Sequence, residues 1–502
     1  MSTNDNPLET EVKLVADPDA LAGVLRRVPF AHAKSRSRVE HTTYFDTSEH
    51  SLRKRGLSLR LRRSGDAIVQ TLKRVGGTVS IVGQREEWEW TVAGEEIALA
   101  PLTAVANRTG APANLYENVR PIFATEIDRR AFVLTLDGGA TKVEAVIDEG
   151  VVVADGRREP VCEVELEVKQ GTVGPVFELA LALVRDNGLR IGAESKADRG
   201  YRLLGADIAT RTEEARSATI AKNARVGEAL STLSATALNA FVTDMPAARS
   251  GNVEAVHQMR VALRRVRSIL VLFGPCLEPE ATRGFTAAIR KMGADLGNAR
   301  DWDVFAQSIL DQAACDGVDE ELLLPLRFET EKRREEAHAK VVRLIDGPRP
   351  TRMVLGLEGW LANGHWRGDG VKDDYVAKVL PDLLDRLSHK VKKRGKGLTK
   401  LSAPELHPLR KSVKKLRYAA EACTAIYGSK PVSRWVDGCK KLQALLGDIN
   451  DATMAIRLLD ALDSSEAARK AMRDWRDARI HKIRRKLARA WRKLEEQNRF
   501  WR

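Results

Sequence analysis

The sequence predicts an α+β multidomain fold, with a strand-built N-terminal region and an all-helical C-terminal region. Three observations predict it. Between residues 8 and 170, apolar and polar residues alternate in short runs broken by Gly, Pro and Asp, which is the two-residue period of strands. From about residue 220 the pattern becomes long stretches rich in Ala, Leu, Arg and Lys, and strand signals stop. Within these helical stretches a pair of motifs recurs at one fixed offset, so the region holds two copies of one unit.

The N-terminal region reads in order as "LETEVKL", "GLSLRLRR", "AIVQTLKR", "QREEWEWTV", "KVEAVIDEG" and "CEVELEVKQG", followed by a helix over about 175–187. Each run carries its charges on one face, because alternate residues of a strand point the same way. Glu9, Glu11 and Lys13 share a face. So do Arg60 and Arg62, with Leu57, Leu59 and Leu61 opposite, and Lys73 follows on the next strand. Arg85, Glu87 and Glu89 oppose Trp88 and Trp90. Glu144 and Asp148 share a face, as do Glu163, Glu165 and Glu167. A solvated face mixes Thr, Ser, Gln and Lys freely; these faces carry blocks of acid on some strands and blocks of base on others. Closing the sheet into a barrel would turn both sets into one lumen. Buried charges must pair or bind metal. Carboxylates there would hold a hard cation, Mg²⁺ or Mn²⁺, and the bases would hold the anion that this metal also binds.

The ordered pattern resembles the CYTH domain, the triphosphate tunnel metalloenzyme family, over about residues 7–204. "ETEVK" matches its ExExK signature. The Arg-x-Arg strand (Arg60, Arg62), Lys73, R-x-E-x-E (Arg85, Glu87, Glu89), Arg129 before Phe132, Asp148-x-Gly150, the ExE strand (Glu163, Glu165) and Ser195-Lys196 follow in order. Arg129 and Arg130 are adjacent, and the spacing to Phe132 selects Arg129. The resemblance implies an eight-stranded antiparallel barrel forming a tunnel, and metal-dependent hydrolysis of a linear triphosphate. It implies metal ligands Glu9, Glu11, Asp148, Glu163 and Glu165. It implies a clamp of Lys13, Arg60, Arg62, Lys73, Arg85, Arg129 and Lys196 on the substrate, with Lys13, Lys73 and Arg129 at the reacting phosphoryl group. The expected reaction is direct attack of water on a terminal phosphorus, where positioning and charge neutralisation carry most of the catalysis. No G-x4-G-K-[S/T] loop occurs, so the phosphate cradle of the P-loop enzymes is absent.

In the helical region, "HQMRVALRRVR" at 257–267 returns as "HPLRKSVKKLR" at 407–417, and "LGNARDWD" at 296 returns as "LGDINDAT" at 446, both shifted by 150 residues. At 100° per residue, His257, Arg260, Arg264 and Arg267 fall within about 80° of one another. His407, Arg410, Lys414 and Arg417 repeat that stripe, with Arg265 and Lys411 beside it. Histidines so far apart, with no nearby Cys, do not make a zinc site. The stripes lack the aromatics and amides of nucleic-acid readers. The two H-x-x-R-x-x-x-[R/K]-[R/K]-x-R motifs resemble the CHAD domain, the conserved-histidine α-helical domain, over about residues 218–500. That resemblance implies two helical-bundle repeats about a pseudo-twofold axis and binding of inorganic polyphosphate by both stripes. Identical units about such an axis present their stripes equally to one groove.

Composition agrees. Residues 1–205 hold 28 Lys+Arg against 30 Asp+Glu, a net of −2, so residues 206–502 carry +16 and the whole chain +14. A field of that sign attracts polyanions. The expected partners are inorganic triphosphate and inorganic polyphosphate, with neither a membrane nor a specific nucleic acid. No apolar run reaches the ~18 residues of a membrane span. The start "MSTNDNPLETEVK" lacks the basic and apolar stretches of a signal peptide. Cys162, Cys276, Cys315, Cys423 and Cys439 are scattered and form no CxxC, which predicts free thiols and a cytoplasmic protein. The expected domains are 1–205, a linker at 206–217, and 218–502 with copies at about 218–346 and 371–500. Other activities of the CYTH type are thiamine triphosphatase and adenylate cyclase. Both need a pocket for a ring, and the inward faces offer no aromatic set for one. A non-catalytic polyphosphate scaffold is the remaining alternative, against which the full set of acids and bases argues.

Overall fold

The computed structural model describes residues 9–74, 83–192, 194–206, 218–368, 370 and 372–502. It divides into two compact units, Met1–Arg216 with Gly347–Asn363, and Ser217–Asp346 with Gly364–Arg502. The expected linker lies outside the described residues apart from Ala206.

The first unit is an antiparallel sheet. Its strands are β1 (Glu9–Val15), β2 (Ser35–Asp46), β3 (Leu57–Ser64), β4 (Ala67–Arg74), β5 (Gly83–Arg85), β6 (Glu87–Val92), β7 (Arg120–Leu136), β8 (Thr141–Ala154), β9 (Arg157–Gln170) and β10 (Arg190–Ile191). The pairing order is β10-β1-β9-β8-β7-β2-β3-β4-β6, and β5 pairs with β1. Only Glu86 separates β5 from β6. The alternation read from sequence sorts the side chains. On β3, Leu57, Leu59 and Leu61 join Leu72, Leu102 and Tyr116 in a buried apolar cluster, while Arg60 and Arg62 face the other way, into a cavity. Burying each such leucine contributes about 1.5–3 kcal/mol, so a one-residue slip of register would exchange apolar core for buried arginine.

Helices α1 (Gly174–Asn187) and α2 (Lys196–Leu203) precede and follow β10 in the chain. Ser195 starts α2: its hydroxyl accepts the Asp198 N–H at 3.1 Å and the Asp198 carboxylate accepts the Ser195 N–H at 2.9 Å. This reciprocal cap satisfies two N–H groups that the helix start would otherwise leave unpaired.

The second unit is helical. Its first half holds α3 (Val226–Thr243), α4 (Val253–Leu272), α5 (Pro279–Val304) and α6 (Glu320–Asp346). The chain then contributes α7 (Pro348–Ala362) to the first unit. There the Thr351 hydroxyl accepts the Ile191 N–H at 3.1 Å. Residues 347–363, which fall between the two copies expected at about 218–346 and 371–500, are thus a packed element of the other unit. The second half holds α8 (Val376–Gly395), α9 (Ala403–Ala422), α10 (Ser429–Leu459) and α11 (Glu466–Glu495). The starts of α3, α4 and α5 return as those of α8, α9 and α10 at the same 150-residue offset. The capping residues repeat too. The Asn252 side chain accepts the Ala255 N–H at 2.9 Å, and the Glu405 carboxylate accepts the Ser402 N–H at 2.8 Å. No helix among the described residues is long and apolar enough to cross a membrane.

Candidate functional site

The sheet bears a cavity of about 490 Å³ lined by residues of β1, β2, β3, β4, β6, β7, β8 and β9, together with the start of α2. Its cations are Lys13, Arg38, Arg60, Arg62, Lys73, Arg129, Lys169 and Lys196. Its carboxylates are Glu11, Glu40, Glu87, Glu89, Glu144, Glu165 and Glu167. Among the described residues the one aromatic side chain on the wall, Tyr44, is stacked on Phe123 with ring centroids 4.6 Å apart.

At one side the sheet register sets acids against bases. Arg129 of β7 lies opposite Asp148 of β8, Asp148 opposite Glu163 of β9, and Lys13 of β1 opposite Glu165. Arg129 grips Asp148 with Nε at 2.8 Å and Nη2 at 2.6 Å, a two-pronged pair that fixes direction as well as charge. Lys13 Nζ lies 3.1 Å from Glu163 and 2.9 Å from Glu165. The cap at Ser195 puts Lys196 in the first turn of α2, and its Nζ meets Asp148, Glu163 and Glu165 at 2.8, 2.8 and 3.0 Å. Arg199, one turn on, reaches Glu163 at 2.8 Å. Burial would raise the Glu163 pKa, but Lys13, Lys196 and Arg199 bring it down to about 2. Burial pushes Lys13 and Lys196 down; Glu163 and Glu165 more than reverse that and raise both. Gly150 of the D-x-G motif has a packing reason. A Cβ there would stand 2.0 Å from the Glu126 carbonyl oxygen, so glycine lets β8 lie close to β7.

The opposite wall holds the second basic set. Arg60 and Lys73 pair with Glu87 at 3.2 and 3.0 Å, and Arg62 pairs with Glu89 at 3.1 Å. Burial and the neighbouring Arg60 lower the Arg62 pKa. A third set is mostly acidic. Glu11 lies opposite Glu167 and Glu167 opposite Glu144, with Lys169 3.3 Å from Glu144 and 2.5 Å from Glu167. Burial raises the Glu167 pKa, and Glu144 and Glu11 add to the rise against the pull of Lys169.

Two carboxylate groups bear on a metal. Asp148, Glu163 and Glu165 present oxygens within 4.8 Å of one another, but cations already neutralise all three, and Asp148 and Glu163 are fully buried. Glu11, Glu165 and Glu167 face the cavity. The like charge crowded around Glu167 is of the kind that a hard cation with oxygen ligands relieves. The side chains of Glu9 and Arg85 lie outside the described residues. Arg129 lines the cavity, whereas Arg130 is not on its wall. Sequence reasoning misses Arg38, Glu40, Lys169 and Arg199. Their signals are there: Arg38-x-Glu40-x-Thr42-x-Tyr44 alternates on β2, Lys169 continues the alternation of 163, 165 and 167, and Arg199 lies one turn from Lys196.

The helical unit holds a second cavity, of about 680 Å³, lined from both copies. Arg260, Arg264, Arg267 and Arg290 come from the first copy; Arg410, Lys411, Lys414, Lys415 and Arg457 come from the second. Among the described residues Asp301 is the one acid on the wall, and it pairs with Arg260 and Arg457 at 3.3 and 3.0 Å. The Nε atoms of Arg264, Arg267 and Arg410 are buried without a hydrogen-bond partner. Burial, together with Arg264, Arg410 and Arg260, lowers the Lys414 pKa to about 6. His407 lines this cavity and shares a 2.7 Å hydrogen bond between Nδ1 and Asn450 Oδ1. His257 is not on the wall; burial and then Arg300 lower its pKa to about 4. Arg265 and Arg417 lie over the Tyr418 ring, at 5.8 and 4.6 Å from its centroid. The structure therefore gathers seven of the ten expected stripe residues into one cavity and leaves His257, Arg265 and Arg417 off its wall.

Comparison with known proteins agrees with this division. Residues 7–201 match the family model of the CYTH domain and residues 233–460 that of the CHAD domain. An inorganic triphosphatase of Haemophilus influenzae is 30% identical over 164 residues, covering 32% of this chain. The chain spans 45% of the length of that relative. The solved CHAD domain of the plant Ricinus communis is 26% identical with a TM-score of 0.50, covering 57% of this chain and 96% of that one.

Proposed function

This chain joins a CYTH domain to a CHAD domain, and from that premise we propose that it hydrolyses inorganic triphosphate to pyrophosphate and phosphate. The observation that carries the reading is the sheet cavity: among the described residues, eight cations and seven carboxylates in about 490 Å³, with a single aromatic ring already stacked on another. Such a lining suits a small, highly charged phosphate chain with its metal, and among the described residues it offers no free ring for a base or a thiazole to stack on. The pairing of β5 with β1, one residue before β6 at the far end of the sheet order, supports reading the sheet as a tunnel.

Glu11, Glu165 and Glu167 would hold the divalent cation, with Glu144 beside them. Bound there, Mg²⁺ or Mn²⁺ would neutralise phosphoryl oxygens and acidify a coordinated water. Asp148 and Glu163 serve from beneath, aiming Arg129, Lys196 and Lys13 at the substrate. Arg60, Arg62 and Lys73 clamp the other end. Their partners Glu87 and Glu89 keep them extended in the free protein and release them to the phosphate, a stronger acceptor. The helical cavity would bind inorganic polyphosphate, since among the described residues nine cations face one acid and the Nε atoms of Arg264, Arg267 and Arg410 have no hydrogen-bond partner. A cytoplasmic setting goes with this reading.

Phosphorus NMR of the full chain with tripolyphosphate and Mg²⁺ tests it. One pyrophosphate and one phosphate should appear per substrate, and Glu167→Gln should stop the reaction. Hydrolysis that proceeds undiminished in Glu167→Gln would remove that carboxylate from the site.

A further inference from the structure

We propose that the helical cavity opens on one side only into a second cationic subsite, formed by Lys390 and Arg394 of α8 with Lys411 and Lys415 of α9, which takes the stretch of a linear polyphosphate that outgrows the cavity. The inference rests on the polyphosphate reading of that cavity.

Lys411 and Lys415 are on the cavity wall. They lie one helical turn apart and so share a face of α9. Lys390 and Arg394 stand in the same relation on α8, which packs against α9. Arg394 is anchored across the pair, donating to the Pro408 carbonyl at 3.2 Å and the Ser412 hydroxyl at 2.5 Å. The two helices are joined by a short connection and run antiparallel, so Lys390 comes level with Lys415 and Arg394 with Lys411. The charges feel one another across this rectangle. Burial lowers the Lys415 pKa to about 8, with Arg267, Lys390, Arg394 and Lys411 adding to the fall. Like charges one turn apart destabilise a helix, so a folded protein that stacks four of them beside an already cationic cavity presents a place for an anion.

The first copy lacks the counterpart. Shifted by 150 residues, Lys390, Arg394, Lys411 and Lys415 become Ala240, Asp244, Val261 and Arg265. Ala240 and Asp244 are buried, and Arg265 lies over the Tyr418 ring. The equal weight that the sequence repeat leads one to expect for the two copies therefore does not hold beyond the cavity. A chain long enough to occupy cavity and rectangle together gains from their linkage, because the second contact becomes intramolecular. A chain that fills the cavity alone gains nothing.

The test is calorimetric titration of the full chain with tripolyphosphate and with long-chain polyphosphate at matched salt. The helical share of binding is whatever Arg264→Glu with Arg410→Glu removes. In that share the long chain should bind at least about tenfold tighter than tripolyphosphate. Lys390→Ala with Arg394→Ala should erase that difference and leave tripolyphosphate binding as it was. Lys390→Glu alone, which breaks none of the Arg394 hydrogen bonds, should reduce the difference in a chain whose thermal midpoint is unchanged. Equal affinity for the two ligands in the unsubstituted protein, or an unchanged ratio in both variants, would overturn the subsite while leaving the cavity as a polyphosphate site. If neither ligand had a helical share, the polyphosphate reading itself would fall, and the subsite with it.

Discussion

Glu163 shows at the level of one residue how sequence and structure divide the work. Its alternation with Glu165 and Glu167 is legible, and so is its inward direction. Its partners are not, because Lys196 and Arg199 arrive from a helix more than thirty positions away along the chain. The structure makes it a buried counter-ion, so Glu163→Gln should cost stability as well as activity, about 3–5 kcal/mol for a broken buried pair. Glu167→Gln should leave the metal-free protein at least as stable, since it relieves crowding among like charges, and should lose activity. Thermal melts of the two variants separate these roles. The Glu163 pKa falls from its ordinary value to about 2 on folding. Its contribution is therefore present above about pH 4.5 and is lost as pH drops toward 2, and acid titration of wild type against Glu163→Gln should show that difference. Lys414 shifts in the same direction at higher pH, but there folding opposes the charged form. Its pKa falls to about 6 on folding, so between about pH 6 and 10.5 the unfolded chain holds the extra proton and stability from this group rises with pH. A bound polyanion returns that proton. Polyphosphate binding near pH 7 should take up protons, seen by calorimetry in buffers of different ionisation enthalpy, and Lys414→Arg should abolish that share.

Among elements, the strands are the most legible, because a two-residue period with charge on one side admits few other readings. Arg129 can be chosen over Arg130 from its spacing to Phe132, and the register explains why: it stands directly opposite Asp148. The clamp is a property of β3, β4 and β6 together. Arg60→Ala with Arg62→Ala should lower activity on tripolyphosphate at least about tenfold, about 1.4 kcal/mol, without lowering the thermal midpoint of the empty protein. Helix α2 depends on a close approach that no sequence pattern announces. A Cβ on Gly200 would lie 2.3 Å from the Phe123 ring, which stacks on Tyr44 and meets Tyr201 edge to face. Gly200→Ala should cost about 1–3 kcal/mol by overpacking and should also reduce turnover, since the same helix carries Lys196. Helix α7 is illegible for a different reason. Its Gly, Pro and Trp content reads as a connection, and only the partner surface on α1 and β10 makes it a packed helix.

For the molecule as a whole, the repeat offset is the strongest single signal, and it holds from motif to helix start. What it cannot convey is where the copies diverge, because divergence lies in single positions such as Ala240 against Lys390. The uneven charge is equally plain, with each unit keeping its own cavity and its own balance: nearly neutral and paired in the sheet, strongly cationic in the helices. The central claim is that the sheet cavity acts on an inorganic chain. It is tested most directly by the kcat/KM of the full chain for tripolyphosphate, thiamine triphosphate and ATP, each with saturating Mg²⁺. The account predicts the highest value for tripolyphosphate by at least about tenfold, because the lining offers charge and no ring-binding surface. An equal or higher value for either organic triphosphate would contradict it.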